Sequence, residues 1–134
     1  MSANAPSRVR TARPAQNGPR RGKAESEGAV LPLRLANLQL WPDFQVFVSG
    51  ARVDFTRREF EVLHVLASSP GELLSKELIH GLAWKSPRFH ARDRSVDVYV
   101  RKLRIKLGAA APAWRYIHTH PGLGYRFEPQ PIDE

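Results

Sequence analysis

The spacing of the hydrophobic residues changes near Thr56, and this change restricts the fold more than any other feature of the chain. Upstream of Thr56, apolar residues alternate with polar ones, as in strands that bury one face. The alternating positions are Leu33, Leu35, Leu38 and Leu40, and the strands of a following hairpin contain Val46, Val48, Val53 and Phe55. Pro42-Asp43 interrupts them, and Ser49-Gly50 is typical of a hairpin turn. This segment therefore predicts a small antiparallel sheet.

Downstream of the sheet, the spacing predicts two helices. Thr56 and Glu59 have the spacing of a capping box, in which each side chain accepts from the other's backbone amide. The apolar residues that follow at helical spacing are Phe60, Leu63, Leu66 and Ala67. Ser69-Pro70-Gly71 ends this helix, and Ser75 caps the second one. The second helix is expected to direct inward Leu78, Ile79 and Leu82, with Trp84 at its end. Residues 85–93 form a loop.

Residues 94–107 predict a third helix with two different sides. One side is an apolar stripe of Val96, Val100, Leu103 and Leu107. Another side carries Ser95, Val98, Tyr99, Lys102 and Lys106, flanked by Arg94 and Arg101. Gly108 is expected to end the helix. An α-helix fits the major groove of B-DNA, so a helix that is seated by one side and cationic on another suits base reading.

The last segment predicts a hairpin. Two runs with strand character, 114–119 and 125–128, flank a turn at 120–124 that contains Pro121, Gly122 and Gly124. The order of elements is therefore a sheet, three helices and a C-terminal hairpin, which is an α+β arrangement.

The basic residues are concentrated in two blocks. The 134-residue chain has a formal net charge of +8. Residues 1–24 contain six basic side chains and no acidic one, and residues 88–106 contain seven basic against two acidic side chains. A polyanionic partner is the natural interpretation. The chain has no cysteine, no apolar run of membrane-spanning length and no apolar region of a secretory signal at its N-terminus, so a cytoplasmic location is expected.

Composition also divides the chain into a tail and a domain. Residues 1–29 are rich in Ala, Pro, Asn, Gly and Arg without apolar periodicity, so we expect a disordered basic tail. This tail is an interdomain linker or an arm that lies on DNA. The folded domain is expected over residues 30–130, followed by a C-terminal tail at 131–134.

Nothing in the sequence favours an enzyme. Gly122-Leu123-Gly124 lies in the hairpin rather than before a helix, so it does not predict a phosphate-binding loop. His118 and His120 alternate on one strand and raise the alternative of a metal pair, but a third ligand is not evident. We therefore expect no cofactor, no metal, no small-molecule substrate and no membrane partner.

Several separated motifs resemble the OmpR/PhoB-type winged-helix effector domain of bacterial response regulators over about residues 31–129. They are Asp54-Phe55-Thr56-Arg57-Arg58-Glu59-Phe60, Ser75-Lys76-Glu77-Leu78-Ile79 with Trp84, residues 94–104 with Lys106-Leu107, and Ile117 with Gly122-Leu123-Gly124-Tyr125-Arg126. The resemblance implies a winged helix-turn-helix with a four-stranded N-terminal antiparallel β-sheet, a three-helix core and a C-terminal β-hairpin wing. It also implies sequence-specific binding of double-stranded DNA for transcription regulation, as the effector domain of a two-component response regulator.

The same resemblance assigns roles to individual residues. It places the recognition helix 94–107 in the major groove and the wing 116–127 near the minor groove. The predicted DNA-binding residues are Lys76, Trp84, Arg94, Ser95, Val98, Tyr99, Arg101, Lys102, Arg104, Thr119 and Arg126. The loop between the second and third helices corresponds to the family's usual contact with RNA polymerase, here through Lys85, Arg88, His90 and Arg92. A homodimer on direct-repeat sites is implied as well.

Arg101 and Lys102 carry the donors that guanine O6 and N7 accept, and Val98 suits a thymine methyl group. Asp97 is expected to orient Arg101, four residues later, rather than to touch DNA, because its charge opposes phosphate.

The wing departs from the family at one position. Where the family commonly has an arginine that enters the minor groove, this chain has Pro121. Either His118, His120 or Arg126 substitutes for that arginine, or the minor-groove reading is weak; we favour the second interpretation.

Two alternatives to specific DNA binding stay open at this point. A winged helix can bind protein through its third helix or its wing, which predicts an apolar or acidic helix face rather than a basic one. The chain can also bind DNA nonspecifically, as an architectural protein, through the basic tail.

Overall fold

The predicted N-terminal sheet is present in the computed structural model, which describes residues 29–90 and 92–132. Its strands are β1 (Leu33–Leu35), β2 (Leu38–Trp41), β3 (Gln45–Val48) and β4 (Ala51–Val53), antiparallel and in that spatial order. Leu38 pairs with Val48 and Leu40 with Val46, so the side chains of these four residues share one face, which is buried. The predicted antiparallel sheet is therefore confirmed, and its register brings these apolar side chains to one face.

Part of the sequence-based domain division falls outside these residues. The predicted basic tail covers 1–29, and residues 1–28 are not among the described ones. The strand that ends the domain continues to Pro131. Within the two described ranges, no helix combines the length and the apolar character needed to cross a membrane.

Three helices follow the sheet, as predicted. They are α1 (Arg57–Ala67), α2 (Lys76–Trp84) and α3 (Ser95–Ala110). The capping box of α1 is confirmed, because the Thr56 side chain accepts from the Glu59 amide and the Glu59 carboxylate accepts from the Thr56 amide. The Ser75 side chain accepts from the Leu78 amide, so the predicted cap of α2 is confirmed too.

The apolar stripe of α3 is buried as predicted. Its residues Val96, Val100, Leu103 and Leu107 are each at most 2% exposed. Burial of one such side chain contributes about 1.5–3 kcal/mol relative to exposure. Four of them on one side of the helix therefore determine which side of α3 can face solvent.

The C-terminal hairpin belongs to a three-stranded sheet. Strands β6 (Trp114–His120) and β7 (Gly124–Pro131) form the hairpin, and a short strand β5 (Leu73–Leu74) pairs with the other edge of β7. The sequence did not predict β5, because two residues are too few to show an alternating pattern.

Glycine is required at position 124 by this third strand. Its φ is +149°, and a Cβ built there would lie 2.0 Å from the backbone carbonyl oxygen of Leu74. The close approach of β5 to the start of β7 therefore depends on the missing side chain.

The inward side of α2 differs from the prediction. Leu78, expected to face inward, is 46% exposed, whereas Ile79 is fully buried and Ala83 and His80 are buried beside it. Successive helical residues are about 100° apart, so three apolar residues within five do not decide which arc is buried. The side of α2 that packs against the core is centred on Ile79.

The bounds of the third helix were also predicted incorrectly. α3 begins at Ser95 rather than at residue 94, and it continues past Gly108 to Ala110, where the Ala111 amide donates to the Leu107 carbonyl. The three alanines after Gly108 have the highest helix propensity, and glycine ends a helix only where the backbone turns left-handed. Gly108 is not among the positive-φ residues of the described chain.

Candidate nucleic-acid interface

The side of α3 opposite the core presents Arg101 and Lys102 to solvent. Both side chains are exposed, and Val98, one turn earlier, is 46% exposed. The predicted base-reading residues are therefore on the accessible side of the helix. An accessible Val98 between cations combines hydrogen-bond donors with a small apolar group, which are the two kinds of group that base edges accept.

Aromatic contacts connect this side of α3 to the end of α2. The Nζ of Lys102 lies 4.7 Å from the ring centroid of Tyr99, a cation–π distance. The Tyr99 ring meets Trp84 edge-on at 5.5 Å between centroids. Trp84 is stacked on His80 at 4.9 Å and carries the Arg58 guanidinium 4.9 Å from its ring centroid. The predicted contacts Trp84 and Tyr99 are thus held by neighbouring rings and cations.

Asp93 accepts two hydrogen bonds from the first residue of α3. Its Oδ1 accepts from the Ser95 amide at 2.8 Å and from the Ser95 hydroxyl at 2.5 Å. The hydroxyl bond, followed by the amide bond, holds the pKa of Asp93 below its ordinary value. Ser95, a predicted DNA contact, therefore already donates its hydroxyl proton within the protein. The sequence analysis gave Asp93 no role, although an aspartate directly before a helical pattern is a known cap signal.

Arg94 is the most exposed of the predicted contacts at this end of α3. Its side chain is 81% exposed, with Nη1 3.8 Å from an oxygen of Asp97. A cation in this position can reach a phosphate without losing a buried interaction.

The prediction that Asp97 orients Arg101 is wrong, because the Asp97 carboxylate binds other donors. Lys76 Nζ lies 3.0 Å from its Oδ1 and donates to its Oδ2 at 3.1 Å. The Tyr125 hydroxyl donates to Oδ1 at 2.5 Å. Side chains on a helix tilt toward its N-terminus, so Asp97 reaches the start of α2 and not the following turn of α3.

The contact between Asp97 and Tyr125 shifts the pKa values of both groups. Burial raises the pKa of Asp97, but the hydrogen bonds from Tyr125 and Lys76 and the charge of Lys76 lower it by more, so it lies below its ordinary value. Burial, together with the hydrogen bond to Asp97 and its negative charge, raises the pKa of Tyr125 to about 12. Asp97 is therefore ionised and Tyr125 protonated at neutral pH.

Arg104 connects α3 to the first strand of the hairpin. Its Nη2 donates to the Ile117 carbonyl at 3.0 Å and to the Thr119 Oγ1 at 2.6 Å. The guanidinium also lies 5.7 Å from the ring centroid of Tyr125. Two predicted DNA contacts, Arg104 and Thr119, are therefore bound to each other in this structure.

The candidates for the missing wing arginine are engaged within the hairpin. The His118 Nε2 N–H donates to the Glu128 carbonyl oxygen at 2.8 Å. Arg126 Nε donates to His120 Nε2 at 3.1 Å, and Arg126 Nη1 forms an ion pair with the Glu128 carboxylate. Burial, and after it the positive charges of nearby arginines, lowers the pKa of His118, so it is neutral at pH 7. The turn itself exposes Pro121 and the side chain of Leu123.

An aromatic side chain packs the loop between α2 and α3 against α2. Phe89 packs against His80 at 5.3 Å between ring centroids. His80 also has Nε2 3.8 Å from an oxygen of Asp93. The predicted polymerase-contact residues Lys85, Arg88, His90 and Arg92 are exposed on this loop.

Lys106 lies on a different side of α3 from the one the sequence predicted. Its Nζ donates to the Glu59 carboxylate at 2.7 Å and to the Asp54 carbonyl at 2.9 Å. It also lies 5.4 Å from the ring centroid of Phe55. Lys106 therefore ties α3 to the start of α1 and does not extend the solvent-facing cationic surface.

Comparison with known proteins identifies what the chain is similar to. The sequence profile of the family described as "Transcriptional regulatory protein, C terminal" matches residues 50–127. The Bacillus subtilis (strain 168) "Alkaline phosphatase synthesis transcriptional regulatory protein PhoP" is 30% identical over 111 residues, which are 82% of this chain and 45% of that protein. The Escherichia coli (strain K12) "Transcriptional regulatory protein CreB" is 33% identical over 94 residues, or 69% of this chain and 41% of that protein. The chain thus spans less than half the length of these curated relatives.

Solved structures agree with the fold. The Klebsiella pneumoniae RstA DNA-binding domain in complex with the RstA box superposes with a TM-score of 0.65 at 27% identity, covering 74% of this chain and 98% of that one. The DNA-binding domain of CpxR from E. coli superposes with a TM-score of 0.64 at 26% identity, covering 72% of this chain and 94% of that one. The predicted winged-helix architecture is therefore confirmed.

Proposed function

The chain belongs to the family of OmpR/PhoB-type C-terminal domains of transcriptional regulatory proteins, and from this membership we propose that it binds double-stranded DNA sequence-specifically to regulate transcription. One observation of the structure carries the proposal: α3 buries four aliphatic side chains and exposes Arg101, Lys102 and Val98 on another side. The relatives and the DNA-bound structural neighbour support the same function. A protein-binding winged helix would be expected to have an apolar or acidic face there.

In the proposed complex α3 lies in the major groove. Arg101 and Lys102 donate to guanine edges, and Val98 contacts a thymine methyl. Tyr99 and Arg104 also face DNA. The groups proposed to contact phosphates are Lys76, Trp84, Arg94, Ser95 and Thr119. The Ser95 hydroxyl donates to Asp93, so it must give up that bond to donate to a phosphate. The Thr119 hydroxyl oxygen accepts from Arg104, so Thr119 keeps its own proton to donate to a phosphate.

We propose that the wing contributes little minor-groove reading. Arg126 is paired with Glu128 and donates to His120, so its entry into the groove would break both contacts. The turn presents Pro121 and Leu123, which have no side-chain donors.

Further parts of the proposal concern partners and context. The domain acts as the effector part, residues 30–130, of a two-component response regulator in the bacterial cytoplasm. The loop between α2 and α3 contacts RNA polymerase through its exposed basic side chains. Homodimers occupy direct-repeat sites.

Selection of bound sequences from a random duplex pool tests the central proposal. We expect one preferred motif, and an affinity whose log–log slope against salt is about −0.9 per phosphate contact. Arg101→Ala or Lys102→Ala should cost about 1–3 kcal/mol on the selected duplex and relax the base preference. Equal losses on selected and random duplexes would contradict base reading by α3.

A deletion of residues 1–29 separates this proposal from nonspecific binding by the basic tail. The shortened chain should keep its preference for the selected motif. Loss of the preference in a chain that still melts cooperatively would assign binding to the tail instead.

A further inference from the structure

Asp97 lies within the cationic surface of α3 and holds residues from two other elements. Its carboxylate binds Lys76, the first residue of α2, and Tyr125, the second residue of β7. Arg94 approaches the same carboxylate at 3.8 Å. The contact therefore joins α2, α3 and the wing at a single carboxylate, which is only 24% exposed.

We propose that Asp97 is a positioning residue that sets the ratio of specific to nonspecific DNA binding. This inference rests on the proposed function. Asp97 sets the ratio in two ways. Its charge neutralises Lys76 and opposes phosphate, and its hydrogen bond from Tyr125 fixes the angle between α3 and the wing.

These two effects act differently on the two kinds of DNA. A random duplex offers mainly phosphates, so its affinity depends on the number of available cations and is lowered by a carboxylate among them. A preferred duplex also offers base edges, whose hydrogen bonds depend on the orientation of α3. Withholding a cation lowers the affinity for both duplexes, because both offer phosphates, whereas aligning α3 raises only the affinity for the preferred one. The carboxylate therefore raises the ratio of the two affinities.

The size of the charge effect follows from one phosphate contact. Each contact changes the salt slope by about 0.9, which corresponds to about a threefold change in affinity between 50 and 200 mM salt. Asp97→Asn keeps the size of the side chain and an oxygen that can accept from Tyr125, but it removes the charge that holds Lys76. We expect it to raise affinity for a random-sequence 20-base-pair duplex, because Lys76 then contacts phosphate without giving up Asp97. The slope should steepen by up to about 0.9, so that the gain is up to about threefold larger at 50 than at 200 mM salt.

The matched control is Asp43→Asn, which makes the same change of net charge in the turn between β2 and β3. Asp43 is exposed and has a φ of 65°, a left-handed conformation that asparagine adopts readily. We expect this control to leave the affinity for the random duplex within about 1.5-fold of the unmodified chain, because solvent and salt screen distant surface charges.

The decisive readout is the ratio of affinities for the selected and random duplexes. Asp97→Asn should raise affinity for the random duplex more than for the selected one and so lower this ratio, because the Tyr125 bond to a neutral amide is weaker than the bond to the carboxylate and aligns α3 less well. A purely structural role would lower both affinities, and that result would overturn the proposal. Equal effects of Asp97→Asn and Asp43→Asn would overturn it as well.

Tyr125→Phe tests the alignment separately and keeps the proposal testable if Asp97→Asn does not fold. It removes the hydroxyl donor and leaves the Asp97–Lys76 ion pair in place. The selected duplex should lose more affinity than the random one, and an unchanged ratio would contradict the alignment role. If Arg101→Ala and Lys102→Ala also left the selected affinity unchanged, the proposed function itself would fail, whatever Asp97 does.

Discussion

Replacement of Lys106 by alanine should destabilise the domain because it leaves the Glu59 carboxylate buried without its ion-pair partner. The Glu59 side chain is 6% exposed and accepts from Lys106 Nζ at 2.7 Å. Removal of one partner from a fully buried pair costs about 3–5 kcal/mol. The Lys106 side chain is one-third exposed and Glu59 keeps the bond from the Thr56 amide, so solvent screening reduces the expected cost to about 2 kcal/mol.

Urea unfolding monitored by tryptophan fluorescence measures this change. For a domain of this size, about 2 kcal/mol corresponds to a drop in Tm of about 10 °C. The matched control is Lys102→Ala, the loss of an exposed lysine one turn earlier on the same helix, which should change the free energy of unfolding by less than about 0.5 kcal/mol.

The pH dependence provides a second readout. Burial raises the pKa of Glu59, but the hydrogen bonds from Lys106 and Thr56 and the charge of Lys106 lower it by more, so its folded pKa lies below the ordinary 4.5. A carboxyl with a lowered folded pKa stabilises the protein above its unfolded pKa and loses that contribution as the pH falls. The destabilisation by Lys106→Ala should therefore be full at pH 7 and shrink below pH 4.5. An effect no larger than that of Lys102→Ala, or one independent of pH, would refute the reasoning.

Two further predictions concern the wing. Gly124→Ala should destabilise the domain by at least about 2 kcal/mol in urea unfolding, because the new Cβ would overlap the Leu74 carbonyl oxygen and the β5–β7 pairing would have to shift; stability within 0.5 kcal/mol of the original would mean that β5 is not held there in solution. Pro121→Arg adds a donor at the exposed turn, so it should steepen the salt slope by about 0.9 and introduce a preference for A·T pairs beside the major-groove site. An unchanged slope and motif in the random-pool selection would show that the turn does not approach DNA.

Much of the fold was predictable because the burial of alternating residues leaves a direct record in the sequence. Leu38 and Leu40 flank the polar Gln39, Val46 and Val48 follow at the same spacing, and the pairing of these four residues defines the register of the first sheet. The stripe of α3 is equally clear, since four aliphatic residues repeat at helical spacing over about three turns. In both cases one side of the element is buried and the opposite side is not. Only then does the spacing of apolar residues predict the type of secondary structure.

The features that were missed depend on contacts between distant segments. Nothing in the order of residues places Lys106 against Glu59 or Asp97 against Tyr125, because these partners lie 47 and 28 residues apart. Leu78 was assigned to the core on apolar character alone, but the choice between adjacent arcs of α2 is made by what packs against it. Ser95 was predicted as the second residue of the third helix and is in fact the first one of α3, and its hydroxyl bond to Asp93 depends on the conformation of the preceding loop.

The same consideration applies to the basic residues of the interface. Seven basic side chains lie between residues 88 and 106, and a count of charges treats them as equivalent. In the structure Lys106 is bound to Glu59, and Arg104 donates to Ile117 and Thr119, whereas Arg101 and Lys102 lie on the solvent side of α3. A cation that already has protein partners must give them up to neutralise a phosphate, so its contribution to DNA affinity is smaller than that of an exposed one. In the proposed complex, we therefore expect the salt dependence of binding to follow which side of α3 each cation occupies rather than the net charge of the chain.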